Sequence, residues 1–314
     1  MVNAGLRRVA ESVGEAEDGL SPTGLPVSPN RSRGLRGVSF PDDKLARLAV
    51  ATSMPETVLR RWRRQMSYEE ARSACIHALA KPPTILNTLH TTALLPADST
   101  EPHTDPGHAV WRGTHESLGT LLETRRDVWV QDPGSSGAVR SVAGGSPAVI
   151  GDLCAGQGTK TRQLAATFPE ASIVATDVDR TRYTVLARTF AGHDRVRVLP
   201  PDEARSALIG AADLVLLDVP CSNTGVLGRR VEARYRATPA AIERLTSIQR
   251  QLIADSVPLL SPRGAILYAT CSLEHAENEA IAAWATKWHD LVSKHERRGV
   301  PAAELLLKAQ REAI

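Results

Sequence analysis

The chain has 314 residues, of which 42% are hydrophobic, and a formal net charge of +3. This length allows one large domain or two smaller ones, and the mild basic excess permits a nucleic-acid partner without requiring one. The four cysteines form no Cys-x-x-Cys pair, which disfavours a zinc site or a disulfide framework. No stretch resembles a signal peptide or is apolar enough to span a bilayer. We therefore expect a cytoplasmic protein, monomeric by default, that binds neither membrane nor metal.

The first part of the chain predicts a leader and a small accessory module. Residues 1–42 are rich in Gly, Ser, Pro and Arg without apolar periodicity, which predicts a flexible leader. Residues 43–130 mix helical patterns with short strand-like runs, and we predict an α/β accessory module of RNA-binding type. Ser67 and Glu70 form a capping-box pattern at the start of one helix. A basic stripe either contacts phosphates or is a solvated face, and it comprises Arg60, Arg61, Arg63 and Arg64.

Residues 131–314 alternate continuous apolar runs with helical patterns. Such alternation predicts parallel βαβ units, and strands buried on both faces explain why the apolar runs are continuous. We therefore predict an α/β fold with a Rossmann-like sheet and helices on both faces. The predicted strands are 148–153, 172–176, 195–199, 214–217 and 265–269.

A glycine-rich turn follows the first of these strands and reads Asp152-Leu-Cys-Ala-Gly-Gln-Gly-Thr-Lys160. Gly156 and Gly158 let the backbone approach a ligand, and the following helix offers free N–H donors. The next strand ends in Asp177, which either binds ribose hydroxyls or caps a helix. These features favour a nucleoside-containing cofactor over a purely structural turn. Because the full Gly-x-Gly-x-x-Gly pattern of dinucleotide sites is absent, S-adenosylmethionine is the leading candidate.

Two cysteines follow two later strands of the same predicted sheet. Cys221 lies in Asp218-Val-Pro-Cys and Cys271 in Thr-Cys-Ser-Leu. The carboxyl ends of parallel strands meet at one crevice, so we expect both sulfurs to share a pocket that faces the cofactor. A thiolate is a strong nucleophile, which indicates group transfer through a covalent intermediate. The alternative is an inert buried thiol, the role expected for Cys75 and, although it lines the turn, for Cys154.

These segments resemble the RsmB (Nol/Nop/Sun) family of RNA cytosine-5 methyltransferases over about residues 46–279. The turn 152–160 resembles the family's Asp-Leu-Cys-Ala-Ala-Pro-Gly-Gly-Lys. Asp218-Val-Pro-Cys-Ser-Asn-Thr-Gly225 resembles its Asp-Ala-Pro-Cys-Ser-Gly-Thr-Gly motif. Further matches are Thr270-Cys-Ser-Leu273, Glu277-Asn-Glu279 and Val130-Gln-Asp-Pro133. The combination of Pro-Cys with Thr-Cys is highly specific for this group.

The resemblance implies an RNA (cytosine-5) methyltransferase that uses S-adenosylmethionine. It assigns Cys271 as the nucleophile that attacks C6 of cytosine, and Cys221 as the group that assists release of the covalent intermediate. Asp218 is then expected between the cofactor and the base, with Asp177 on the ribose and Asp202 on the adenine side. The implied cofactor-binding residues are Cys154, Ala155, Gly156, Gln157, Gly158, Thr159, Lys160, Asp177, Asp202 and Asp218.

Three departures from the family pattern bear on whether the chain is active. The usual Ala-Pro-Gly-Gly reads Gly-Gln-Gly-Thr, the usual Arg-Val-Asn reads Ile85-Leu86-Asn87, and no Gly-Phe-Phe follows Glu279, so we expect a sheet that is short on one edge. These departures keep open a second hypothesis, a non-catalytic RNA-binding or ribosome-assembly protein.

Under the first hypothesis, the substrate is RNA. Ribosomal RNA, namely 16S rRNA, is the expected substrate, and transfer RNA is the alternative. Arginines that follow the Pro-Cys segment are expected either to hold the RNA backbone or to be solvated, and they are Arg229, Arg230, Arg234 and Arg236.

Overall fold

The structure, a computed structural model, describes residues 7, 10–18, 24–28, 31–37 and 40–294. Its first elements form an antiparallel sheet with the order β1-β3-β2, made of β1 (Val13–Asp18), β2 (Gly24–Ser28) and β3 (Arg31–Leu35). The segment predicted as a flexible leader is thus partly ordered into strands. Antiparallel pairing satisfies backbone N–H and C=O groups without apolar periodicity, so small and polar residues suffice here.

Three short helices follow: α1 (Lys44–Ala51), α2 (Glu56–Trp62) and α3 (Tyr68–His77). The predicted capping box is present at the start of α3. The Ser67 hydroxyl accepts the N–H of Glu70, and the Glu70 carboxylate accepts the N–H of Ser67. Leu59 and Trp62 of α2 are completely buried, which makes this helix the centre of the helical cluster.

A second antiparallel sheet has the strand order β5-β6-β4-β7. It consists of β4 (Thr84–Asn87), β5 (Thr100–Pro102), β6 (His108–Trp111) and β7 (Trp129–Val130), with α4 (His115–Thr124) before the last strand. Leu86 and Trp111 pack against Leu118 of α4 in a small core. Residues 43–130 therefore contain both helices and strands. The division of the chain into leader, accessory module and catalytic domain stays a prediction.

The second half of the chain forms a parallel sheet. After α5 (Pro133–Arg140), its strands are β8 (Val149–Asp152), β9 (Ser172–Ala175), β10 (Val196–Val198), β11 (Ala212–Asp218) and β12 (Leu260–Ala269), in the order β10-β9-β8-β11-β12. The helices are α6 (Thr159–Thr167), α7 (Arg180–Thr189), α8 (Pro201–Leu208), α9 (Ala233–Arg236), α10 (Pro239–Ser256) and α11 (Glu279–Trp288). The direction of strand addition reverses between β8 and β11, which opens a crevice at their carboxyl ends.

Both faces of the parallel sheet are buried under helices. On one face, Ile150 and Ile173 pack with Leu164 of α6. On the other, Leu217 packs with Leu208 of α8. The predicted Rossmann-like α/β fold with helices on both faces is confirmed. Within the described ranges, no helix is long and apolar enough to cross a membrane.

The helical cluster α1–α3 packs against the segments that follow the two strand-end cysteines. Its buried side chains include Leu227 and Leu273 from those segments. Glu274, which is 1% exposed, accepts hydrogen bonds from Arg61 at 2.8 Å and from the Trp62 indole at 2.9 Å. The accessory helices therefore support the carboxyl edge of the parallel sheet from one side.

Candidate active site

Cys221 and Cys271 lie side by side at the carboxyl edge of the parallel sheet. Cys221 follows β11 and Cys271 follows β12, and the parallel pairing of these strands brings their ends together. The two Sγ atoms are 3.2 Å apart, and both thiols are free. Cys221 is buried and Cys271 is half-buried. The structure thus places the two predicted thiols in one pocket.

The contact between the sulfurs makes the two thiols unequal. The hydrogen bond between them lowers the pKa of the Cys271 thiol, because Cys221 donates to the Cys271 thiolate. The same hydrogen bond, followed by burial, raises the pKa of the Cys221 thiol. Because the thiolate is the nucleophilic form, Cys271 is the better suited of the two for attack.

One buried carboxylate joins the two cysteine-bearing segments. Glu277, which is completely buried, accepts the backbone N–H of Ser222 at 3.0 Å and the hydroxyls of Ser222 and Ser272 at 2.5 Å each. Ser222 follows Cys221 and Ser272 follows Cys271 in the chain. Gln249 of α10 donates to the same carboxylate at 3.0 Å. Glu277 therefore fixes both cysteine segments through the residue next to each thiol.

Sequence reasoning missed this role of Glu277. The residue belongs to the Glu-Asn-Glu segment of the family pattern, so a signal was present in the sequence. The pattern alone does not reveal that an acidic side chain accepts donors from two distant segments, since those segments meet only in the folded sheet. Gln249 carried no signal, because a glutamine on a long helix is most often exposed.

An ion pair connects the end of β11, which precedes Cys221, to the glycine-rich turn. The Lys160 ammonium donates to the Asp218 carboxylate at 2.7 Å. The Lys160 side chain is 13% exposed and that of Asp218 is 36% exposed, so the pair is held within the crevice but open to a ligand. Lys160 from the turn and Asp218 from the end of β11, which the resemblance assigns to one cofactor site, therefore contact each other directly.

The two glycines of the turn differ in their surroundings. Both have positive φ, +59° at Gly156 and +94° at Gly158. A Cβ on Gly158 would lie 2.5 Å from the Phe190 ring, so packing at the end of α7 itself requires a glycine there. A Cβ on Gly156 would meet no atom within 4 Å. Gly156 thus presents its backbone to open space, whereas a contact of Gly158 with a ligand stays a prediction.

Asp177 closes the turn from the neighbouring strand. Its carboxylate accepts the N–H of Gly156 at 2.8 Å and the N–H of Asp179 at 2.8 Å. The cap of α7 is Asp179, whose side chain accepts the N–H of Arg182. The alternative that Asp177 is a helix cap is therefore wrong.

Asp152, the first residue of the turn, is a further acidic residue to which the sequence assigned no role. It is completely buried and accepts a hydrogen bond from the Thr161 hydroxyl at 2.7 Å. Burial raises the pKa of the Asp152 carboxyl to about 7. Its position ties the start of α6 to the end of β8, beneath the turn.

The other predicted cofactor residues occupy a range of exposures. Gln157 and Thr159 are exposed, and Ala155 is buried. Cys154 is half-buried, and burial raises the pKa of its thiol. Asp202 lies in the first turn of α8 and lines an open cavity of about 310 Å³. The cavity is also lined by Arg197 of β10 and by Glu203 and Ser206 of α8.

The turn fits a nucleoside-containing methyl donor. Open space lies in front of Gly156, and no side chain caps the N-terminus of α6 by a hydrogen bond. An uncapped helix start supplies backbone donors to polar ligand groups, and a strand-end acid such as Asp177 suits ribose hydroxyls. The departure from Ala-Pro-Gly-Gly to Gly-Gln-Gly-Thr therefore leaves the backbone features of the turn in place.

Three of the arginines that the sequence assigned to RNA or to solvent make contacts within the protein. Arg61 binds Glu274, and Arg229 pairs with Asp132 at 2.6 Å. Arg234 is buried and donates to the Thr52 carbonyl at 3.0 Å. Both assignments are wrong for the buried Arg234, because a charged stripe in the sequence does not reveal partners far along the chain. Arg61 and the exposed Arg229 are held in ion pairs, and their contact with RNA stays a prediction.

Comparisons with known proteins agree with this geometry. Residues 146–309 match the profile of the family described as 16S rRNA methyltransferase RsmB/F. Ribosomal RNA small subunit methyltransferase F of Escherichia coli O6:H1 is 28% identical over 278 residues, which cover 81% of this chain and 55% of that protein. Ribosomal RNA small subunit methyltransferase B of Cronobacter sakazakii is 32% identical over 171 residues, covering 52% and 39%. The chain spans about half the length or less of these relatives.

Two solved structures share the fold. The crystal structure of PH0851 superposes with a TM-score of 0.70 at 23% identity, covering 85% of this chain and 65% of that one. A methyltransferase homolog protein from Pyrococcus horikoshii superposes with a TM-score of 0.66 at 20% identity, covering 82% and 88%. At these identities the likeness concerns the fold alone.

Proposed function

Because the chain belongs to the 16S rRNA methyltransferase RsmB/F family, we propose that it methylates C5 of a cytosine in 16S rRNA through a covalent adduct with Cys271. The observation that carries this proposal is the 3.2 Å contact between the sulfurs of Cys271 and Cys221 at the strand ends. The cofactor is S-adenosylmethionine, which supplies an electrophilic methyl group when bound. Residues 154–160 with Asp177, Asp202 and Asp218 are the proposed holders of the cofactor.

The proposed reaction begins with the Cys271 thiolate. C5 of cytosine is a poor nucleophile, and addition of the thiolate to C6 overcomes this by forming an S–C6 bond and pushing the C5–C6 π electrons into the ring. C5 then becomes electron-rich enough to take a methyl group. The lowered pKa of Cys271 supports this role, because it raises the thiolate fraction near neutral pH.

Asp218 is proposed to orient the target base. It lies three residues before Cys221 and is held by Lys160 at 2.7 Å. A carboxylate at this place can accept a hydrogen bond from the exocyclic amine of cytosine, the group that distinguishes cytosine from uracil. The contact with Lys160 would keep the Asp218 carboxylate aimed at the crevice.

Cys221 is proposed to act in the second half of the reaction. After methyl transfer, C5 carries both its hydrogen and the new methyl group. Removal of the C5 proton by a base re-forms the C5=C6 double bond and breaks the S–C6 bond, which returns Cys271 as a thiolate. The hydrogen bond to Cys271 is the main cause of the raised pKa of Cys221. Formation of the adduct removes that cause, so Cys221 releases its proton to solvent more readily and is present as the thiolate that can take the C5 proton.

The RNA partner is proposed from the family and from the chemistry. A cytosine reaches the pocket only from a single-stranded region or after leaving its stack. Arg230 and Arg236 are exposed beside the Pro-Cys segment and are proposed to contact the RNA backbone. A substrate of this kind places the proposed activity in the cytoplasm.

Tritium release tests the proposed function. We expect the protein, given S-adenosylmethionine and rRNA that carries tritium at cytosine C5, to release tritium to water. Cys271→Ala abolishes the release, whereas Cys75→Ala retains it, because burial raises the pKa of Cys75 to about 12 and removes that thiol from the chemistry. A folded wild-type protein that binds no S-adenosylmethionine by calorimetry and releases no tritium would support the non-catalytic hypothesis instead.

A further inference from the structure

Asn223 lies between the two cysteine segments in an unusual backbone conformation. Its φ is +59°, in the left-handed region that glycine and, less readily, asparagine adopt. The family motif quoted above has glycine at this position. This conformation suits a glycine, and the chain places a larger side chain on it.

The added side chain reaches both cysteines. Its amide nitrogen donates to the carbonyl oxygen of Cys221 at 2.9 Å, and its amide oxygen lies 3.1 Å from the sulfur of Cys271. A flipped amide would place two acceptor oxygens against each other at the Cys221 carbonyl. The network therefore assigns the amide oxygen to the Cys271 side.

This orientation determines which way the thiol hydrogens point. An amide oxygen only accepts, so the S–H of Cys271 points to Asn223. The sulfur of Cys271 is then free to accept, and the S–H of Cys221 donates to it across 3.2 Å. The three groups form a directed chain from Cys221 through Cys271 to Asn223.

We propose that Asn223 is a positioning residue that sets the proton order of the thiol pair and opposes the ionisation of Cys271 in the resting protein. The role as positioning residue depends on the proposed function, because it presumes that Cys271 is the nucleophile. A hydrogen bond to the neutral form of an acid disfavours its ionisation. Asn223 thus opposes the effect of Cys221 and restrains the nucleophile until a substrate displaces the amide.

Alkylation of Cys271 tests this inference without RNA or cofactor. The rate of carbamidomethylation by iodoacetamide at Cys271, followed across pH by peptide mass spectrometry on the full chain, reports the thiolate fraction. Asn223→Gly keeps the backbone conformation and removes the amide. We expect the midpoint of its alkylation rate against pH to fall by about one pH unit, a roughly tenfold gain in thiolate at low pH. Asn223→Asp places a carboxylate beside the sulfur, and we expect its midpoint to rise by about one unit or more.

The opposite directions of the two expected midpoint shifts separate this role of Asn223 from a merely structural one. Ser53→Gly is the matched control, because Ser53 also has a positive φ of 52° but lies outside both cysteine segments, between α1 and α2, and we expect it to leave the Cys271 midpoint unchanged. Equal midpoints in wild type, Asn223→Gly and Asn223→Asp would overturn the proposal, and so would shifts of the same sign in both variants. The proposed methyl transfer can fail while these shifts persist, so the two results are distinguishable.

Discussion

The glycine-rich turn and the thiol pair face the same crevice but are built differently. The turn is held mainly by backbone: the positive φ values of Gly156 and Gly158, and the acceptance of the Gly156 N–H by Asp177. The thiol pair is held by side chains, above all by the carboxylate of Glu277. Side-chain identity is therefore more restrictive at the thiols than in the turn.

This contrast explains where the chain departs from its family. The turn reads Gly-Gln-Gly-Thr in place of Ala-Pro-Gly-Gly, yet Gln157 and Thr159 are exposed and the backbone features remain. At the thiol edge the chain retains both cysteines and Glu277. The departure there, Asn223, changes the surroundings of a sulfur directly. We therefore expect side-chain substitutions around the thiol pair to cost more stability and activity than substitutions of the exposed side chains in the turn.

The largest expected effect is at Glu277. Replacing Glu277 with Ala leaves the N–H of Ser222 and one of the two N–H groups of the Gln249 amide without an acceptor, and we expect the free energy of unfolding to fall by about 4 kcal/mol. Urea denaturation gives this value, and tritium release is expected to be lost with it because both cysteine segments lose their anchor. Glu243→Gln, an exposed change on α10, serves as the control. A stable, fully active Glu277→Ala variant would contradict the conclusion that Glu277 fixes both cysteine segments.

The two glycines sharpen the comparison within the turn. Gly158→Ala drives a methyl group into the Phe190 ring at positive φ, and we expect it to lower the free energy of unfolding by about 3 kcal/mol. Gly156→Ala meets open space, so we expect a cost of only about 1 kcal/mol from the left-handed backbone. Urea denaturation of both variants decides this. For Gly156→Ala, calorimetry is expected to show weaker S-adenosylmethionine binding, and equal stability losses in the two variants would refute the assigned difference.

A smaller effect concerns Asp152 and pH. Burial raises the pKa of Asp152 from 3.8 in the unfolded chain to about 7 in the folded protein. Between about pH 4 and pH 7, the folded protein therefore holds a proton that the unfolded chain has released. The contribution of this carboxyl to the free energy of unfolding is complete below about pH 4 and is lost as the pH rises toward 7. Between about pH 5 and pH 6.5, we expect wild type to lose about 2 kcal/mol relative to Asp152→Asn.

Urea denaturation of both proteins across this range measures the difference. Asp98→Asn, a change at an exposed acid, is the matched control and is expected to follow wild type. If Asp152→Asn kept the pH dependence of wild type, the carboxyl would be ionised in the folded protein.

The parallel sheet could be predicted from sequence, and the network around the thiols could not. Continuous apolar runs mark β8 and β11 because both faces of these strands are buried. Cys221 and Cys271 could be placed together, since strand ends of a parallel sheet share an edge. The contacts of Glu277 and Arg234 join segments far apart in the chain, and no local pattern encodes them.

Covalent trapping with Cys221→Ala and Cys271→Ala tests the proposed mechanism most directly. Each variant is incubated with S-adenosylmethionine and substrate rRNA, denatured and resolved by gel electrophoresis. We predict that Cys221→Ala accumulates a protein–RNA adduct, because the step that breaks the S–C6 bond is impaired, and that Cys271→Ala forms none. An adduct that accumulates on Cys271→Ala and is absent from Cys221→Ala would contradict the assignment of the two thiols.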